Sequence, residues 1–238
     1  MVLTLHHLGI SQSERIVWLL EELNIDYKLV KHNRDPILAP KSLSIPGNDN
    51  GKAPFFEDSD AGITRSESAA ICEYIINKYG SGKLSIKPTD DAETYAQYLH
   101  WFHYSNGTFQ PAMSSGMLIG LAGLPDDHFV MGISKGRVKG SLQSLDDRLG
   151  RSKWLAGEQF TAADIMTVFS LTTQRYFGPR SLAEYKNILR FLQDVGAREA
   201  YQRAMQKGDP EMKLLLGAEA PEPGLIKAGG IGSDIWKK

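Results

Sequence analysis

The chain has 238 residues, 42% of them hydrophobic and 23% charged, with a formal net charge of -1. This is the profile of a soluble globular protein of one or two domains; it excludes disorder, collagen-like repeats and a disulfide scaffold. The single cysteine, Cys72, excludes an intrachain disulfide and a cysteine-rich zinc site. Residues 1–80 carry 8 basic and 11 acidic groups and the rest 19 and 17. Neither part has the basic stripe that nucleic acid requires.

Val2 to Leu5 reads as a short strand. Ile16, Leu19, Leu20 and Leu23 then fall on one face of a helix. Tyr27 to Val30 reads as a second strand, and a polar, proline-bearing stretch runs from Asn33 to Lys52. Short strands at 54–56 and 62–64 flank an Asp-Ser-Asp-Ala-Gly turn, and a helix carrying Ala70, Ile71, Tyr74 and Ile75 follows Glu67. The order βαβ, loop, ββα describes an α/β domain with a mixed sheet over residues 1–80. Residues 81–90 lack periodicity and read as a linker. From 91 to 216 the helical period rules, with Tyr95, Tyr98, Leu99 and Phe102 and then Val138, Leu142, Leu145 and Leu149 as stripes, so this part is all-α. Gly217 to Lys238 reads as a tail rich in glycine, alanine and proline. No internal repeat appears. The start of the chain does not read as a signal peptide, and the longest apolar run, Met117 to Leu124, is too short to span a membrane; a cytoplasmic location is the expectation.

Four local patterns bear on chemistry. Ser66-Glu67-Ser68 opens a helix, where free N–H groups, a hydroxyl and the helix dipole suit a carboxylate and Glu67 suits an ammonium group; capping by Ser66 is the simpler reading. Ala53-Pro54 before a strand is either a cis bond presenting backbone to an extended ligand or an ordinary trans proline. Ser11 is placed to donate to a ligand thiolate and lower its pKa, but Ser11-Gln-Ser-Glu14 also fits a capping box. Thr161 and Asp164 form a second capping box, with Phe160 stapled on Ile165, and that one is structural. His6 and His7 are strand neighbours on opposite faces and share no metal, and no metal site is expected.

The run from His6 to Leu23, with Arg34-Asp-Pro, Gly51-Lys-Ala-Pro54, Ser66 through Tyr74, Trp101 through Gly107, Phe160 through Met166 and Ala200 through Ala204, resembles the cytosolic glutathione S-transferases, most like their fungal and bacterial Gtt-type subfamily. The resemblance covers roughly residues 3–208. It implies a thioredoxin-like domain followed by an α-helical bundle, in a homodimer that binds glutathione and transfers its sulfur to a small hydrophobic electrophile. In it, Ser11 activates the thiol. Pro54 is a cis-proline whose preceding Ala53 pairs with the cysteinyl backbone. Glu67 and Ser68 hold the γ-glutamyl end, and Lys52 lies beside the peptide. Tyr104, Phe109 and Met113 are the expected apolar walls for the electrophile, with core packing as their other reading. A non-catalytic ligand carrier of the same fold is the alternative; a thiol-disulfide oxidoreductase is disfavoured because no cysteine opens the first helix. Three features depart from the family pattern. The loop Ile45 to Lys52 is longer and more polar than usual and lacks the apolar residue that locks a partner subunit. Asn106 stands where relatives tend to carry an acid. The tail has no counterpart. A detoxifying role and a dedicated biosynthetic step fit equally well.

Overall fold

The computed structural model describes residues 3–238, so Val2 of the expected first strand lies outside the described residues. β1 (Leu3–Leu8) is longer than its apolar signal and takes in both histidines. α1 (Glu14–Leu23) places Ile16, Leu19 and Leu20 fully inside and ends at Asn24, whose φ of 52° is the left-handed conformation suited to a C-cap. β2 (Lys28–His32), β3 (Phe55–Asp58) and β4 (Ile63–Arg65) complete a sheet of order β2-β1-β3-β4, and α2 (Ser68–Lys78) follows. β1 runs parallel to β2, Leu5 beside Leu29, and antiparallel to β3, Leu5 beside Phe56. The sheet is therefore mixed and thioredoxin-like, as expected.

Between β2 and β3 the chain holds only a single 3-10 turn, Lys41–Leu43. Buried Asn48 organises the polar loop around it, donating to Leu43 O and Lys52 O and accepting from the Lys52 N–H.

Among the described residues no strand follows β4. The second part consists of α3 (Ala92–Tyr104), α4 (Gln110–Leu121), α5 (Phe129–Leu149), α6 (Ala162–Leu171), α7 (Lys186–Gly196) and α8 (Glu199–Gly208). One turn of π-helix, Ser105–Phe109, joins α3 to α4. At the start of α6, Asp164 accepts from the Thr161 N–H at 2.8 Å and the Leu155 N–H at 2.9 Å, so the capping box forms. Phe160 packs on Trp18 and Trp154.

The two parts share one apolar core across α1, α6 and α8, where Trp18 lies 4.9 Å from the Tyr201 ring. Charge seals its rim. Arg198 grips Glu22 with two hydrogen bonds, and Arg203 and Lys207 both reach Glu21. Residues 217–238, which composition marks as a tail, pack back onto the protein. Leu225 is buried, its N–H donates to Tyr176 O, Arg175 donates to Gly217 O and Ala218 O, and the Ile231 N–H reaches Pro36 O in the first domain.

Candidate functional site

A cleft of about 800 Å³ opens between the two parts. The first domain lines it with Ser11, Gln12, Lys52, Ala53, Pro54, Glu67 and Ser68, so every site residue expected there meets in one place. The far side comes from α4 and the segments behind it, chiefly Met117, Leu118, Phe169, Phe177 and Ile226.

Ser11 sits in the turn between β1 and α1 and is nearly buried. Its one hydroxyl proton has two acceptors in reach, Leu8 O and Ser13 Oγ, each at 2.7 Å, and its oxygen accepts from the Ser13 N–H. The Ser11–Glu14 capping box does not form. Ser13 is the N-cap, and Glu14 turns away to accept a 2.6 Å bond from the Thr173 hydroxyl in the second domain. Burial lifts the Glu14 carboxyl to about 8, although the Thr173 bond and the neighbouring Arg15 oppose the shift. A long-range partner has outbid the local one.

The Ala53-Pro54 bond is cis, and Ala53 O accepts from Gln12 Nε2. At the start of α2, Glu67 takes the N-cap position with φ 73°, so the expected capping by Ser66 is not what opens this helix. The first N–H groups of α2 have no acceptor within the helix. Glu67 projects into solvent, 3.7 Å from Lys52 Nζ, and Ser68 is buried beside it.

Sequence reasoning missed what lies beneath. Arg15, fully buried, donates through Nη1 to Gln110 at 2.8 Å, Asn106 at 3.1 Å, and Ser68 and Gln12 at 3.3 Å. Burial lowers its pKa to about 10. All four acceptors line the cleft, so one guanidinium holds its polar floor together. The signal was an arginine four residues before Leu19, on a helical face that is otherwise core.

The electrophile walls expected at Tyr104, Phe109 and Met113 are corrected. None of the three lines the cleft. Phe109 is fully buried and Met113 nearly so, while the Tyr104 hydroxyl donates to Ser141 O. Packing supplies the reason: Phe109 and Met113 belong to the buried core and Tyr104 turns toward α5, which is the core reading of these residues. Gln110, Ser114, Met117 and Leu118, at helical spacing, face the cleft instead.

The cleft thus offers an exposed carboxylate, helix N–H groups backed by a buried cation, an extended backbone edge, a hydroxyl at its base and an apolar far wall. Among the described residues no group of histidine, cysteine, aspartate or glutamate could hold a metal ion.

Known proteins resemble this chain in sequence and fold. A family model described as glutathione S-transferase, N-terminal domain, matches residues 4–78, and one described as glutathione S-transferase, C-terminal domain, matches 130–199. Glutathione S-transferase 3 of Schizosaccharomyces pombe is 33% identical, the match covering 87% of this chain and 88% of that protein. The crystal structure of a glutathione S-transferase from Actinobacillus pleuropneumoniae superposes with a TM-score of 0.76 at 30% identity, covering 87% of this chain and 93% of that one. A glutathione transferase homolog from Lodderomyces elongisporus, with two GSH per subunit, shares the fold at a TM-score of 0.69 and 18% identity, over 87% and 99% of the two chains.

Proposed function

The chain belongs to the glutathione S-transferase family, and from that premise we propose how its own residues bind glutathione and activate the thiol. The observation that carries the reading is the convergence of Ser11, Ala53-Pro54, Glu67 and Ser68 on one cleft whose opposite wall is apolar. Glutathione lies along the first domain. Its γ-glutamyl ammonium meets Glu67, and its α-carboxylate meets Ser68 and the free N–H groups of α2, with Arg15 behind them. The cysteinyl backbone runs along Ala53, and Lys52 lies beside the peptide. This puts the sulfur over Ser11, at the start of α1. A small hydrophobic electrophile then packs on Met117, Leu118, Phe169 and Phe177.

The chemistry needs a thiolate near neutral pH. Lowering a thiol by two pKa units takes about 2.7 kcal/mol of differential stabilisation. A hydrogen bond to a charged acceptor contributes about 1.5–3 kcal/mol, so the Ser11 hydroxyl and the positive end of α1 are sufficient sources. The enzyme is therefore of the serine type. It acts as a homodimer, as the resemblance implies, in the cytoplasm, where glutathione is available; no helix among the described residues is long and apolar enough to cross a membrane. Gel filtration with light scattering checks the dimer.

The decisive measurement is the ultraviolet absorbance of the bound thiolate as a function of pH. In Ser11→Ala the thiol pKa should rise by about one unit or more while glutathione affinity changes little. Ser11→Asp should stay folded and lose activity, because a carboxylate beside the sulfur disfavours the thiolate. An active Ser11→Ala enzyme with an unchanged thiol pKa would remove Ser11 from this role.

A further inference from the structure

Behind Ser11 the hydrogen bonds do not stop. Ser13 Oγ lies 2.8 Å from His7 Nδ1, and His7 Nε2 lies 3.1 Å from Asp209 Oδ2. His7 and Ser13 are fully buried and Asp209 nearly so. Asp209 comes from just beyond α8, so the chain crosses from one domain to the other. The partners settle the hydrogens. Asp209 Oδ2 already accepts from the Ile10 N–H at 3.0 Å, and Lys31 Nζ stands 3.3 Å from its other oxygen. Burial works against that carboxylate, but the His7 bond, Lys31 and the Ile10 N–H hold it below the usual carboxylate range. An ionised Asp209 draws a proton to His7 Nε2, and in the neutral imidazole Nδ1 then faces the Ser13 hydroxyl as an acceptor. Space is kept for the pair: a Cβ on Gly208 would sit 3.1 Å from His7 Nε2, and one on Gly9 3.1 Å from Asp209 Oδ1.

We infer that His7 is the base that receives the glutathione thiol proton, delivered through Ser11 and Ser13 and stabilised as an imidazolium by Asp209. The inference rests on the placement of the sulfur over Ser11. In the transfer the S–H bond breaks and its proton goes to Ser11 Oγ. With its proton turned from Leu8 O to Ser13, Ser11 passes it to Ser13 Oγ across 2.7 Å, and Ser13, for which His7 Nδ1 at 2.8 Å is nearer than Leu8 O at 3.2 Å, passes its own to His7 Nδ1. Thiolate and imidazolium are formed together, with no change in net charge. Every hydroxyl in the chain then donates toward the sulfur: His7 Nδ1–H to Ser13, Ser13 to Ser11, Ser11 to the thiolate. Hydroxyl, imidazole and carboxylate act in the same order as in hydrolase triads, with one more hydroxyl interposed. Lys31, Arg34 and Glu14 are the charged groups bearing on Asp209, and His32 senses His7 from β2.

The distinguishing readout is where the proton goes. Titrating glutathione into the intact enzyme by calorimetry, in buffers of different ionisation enthalpy, counts protons released, and ultraviolet absorbance in the same solutions counts thiolate. The wild type should release less than about half a proton per thiolate formed, because His7 keeps it. His7→Gln and Ser13→Ala should each raise the thiol pKa by about one unit, a tenfold loss of thiolate below it, and release a full proton for each thiolate that does form. Asp209→Asn, which keeps the shape of the site, should do the same and serves where His7→Gln does not fold. A full proton released per thiolate by the wild type overturns the proposal. So does a thiolate titration in these folded variants that superposes on the wild type. If Ser11→Ala shifts the pKa while the other variants do not, Ser11 stands and the relay fails; if Ser11→Ala shifts nothing, the placement of the sulfur fails first.

Discussion

The guanidinium of Arg15 touches four side chains of the cleft, and not one of them is a carboxylate. Its charge is offset by neutral acceptors in a buried position, which leaves the field of the cation available to an anionic ligand. Asn106 is one of those acceptors. The Ser68 hydroxyl accepts from Arg15 and from Asn106 Nδ2, so in the proposed complex it would tie this cation to the ligand. Ser68→Ala should therefore weaken glutathione binding by about 1.5–3 kcal/mol, the range for a bond to a charged group. Glu67 is largely in solvent, so Glu67→Ala should weaken binding less, with water screening the contact. Calorimetric titration measures both, and unchanged affinity in the two variants would remove the γ-glutamyl assignment.

At the scale of the element, the capping box of α6 and the face of α4 lead to opposite expectations. Asp164 satisfies the N–H groups of Thr161 and Leu155 at once, and burial raises its carboxyl to about 7 against those bonds. Asp164→Ala should lower stability by about 0.5–2 kcal/mol in denaturant unfolding while glutathione affinity stays near wild type, because the cap lies in the other domain. Loss of affinity without loss of stability would contradict a structural role. On α4 the π turn separates core from cleft. Phe109→Ala should cost about 3–5 kcal/mol of stability, as for other buried aromatics. Met117→Ala should leave stability close to wild type and raise KM for an aryl halide. The reverse pattern would mean that the register of α4 is misjudged.

For the whole molecule, the contact between Glu14 and Thr173 couples the domain interface to pH. The folded carboxyl titrates near 8 against an ordinary value of 4.5. Between those values the folded state holds a proton that the unfolded state releases, so stability falls as pH rises from about 5 to 8. Asp164 adds to the same trend over a narrower window ending near 7. Glu14→Gln keeps an acceptor for Thr173 and removes the titration, so its unfolding free energy should decline less over this range. Equal slopes for variant and wild type in urea titrations at pH 5, 6.5 and 8 would refute the assignment. The C-terminal segment acts on the same scale. It covers Arg175 and Tyr176, through Gly217 O, the Leu225 N–H and Trp236 O, and sets Ile226 in the cleft wall. Deleting residues 219–238 should lower the melting temperature and raise KM for the electrophile more than for glutathione.

The sequence by itself determined the order of elements, the change near residue 80 from a mixed sheet to helices, and the Thr161–Asp164 cap. Each of these depends on residues within one or two turns of one another, where side-chain period and capping distance are local properties of the chain. The motifs from Gly51 to Pro54 and from Ser66 to Tyr74 also carried enough of the family pattern to point to residues that line one cleft. Tertiary structure alone decided what those local rules left open. The Ser11–Glu14 spacing satisfies a capping box until Thr173, 159 residues away, takes the carboxylate. His7 reads as an idle strand residue until Asp209, 202 residues away, meets its ring. Tyr104, Phe109 and Met113 occupy the right stretch but face the core and α5, where Phe109 and Met113 are buried and the Tyr104 hydroxyl finds Ser141 O, contacts that no local spacing reveals. A segment composed like a tail is held by Tyr176, Arg175 and Pro36, none of them near it in sequence. Spacing encodes the bonds a residue can make with its neighbours. Which bond it makes is a competition with partners that only the folded chain brings within reach.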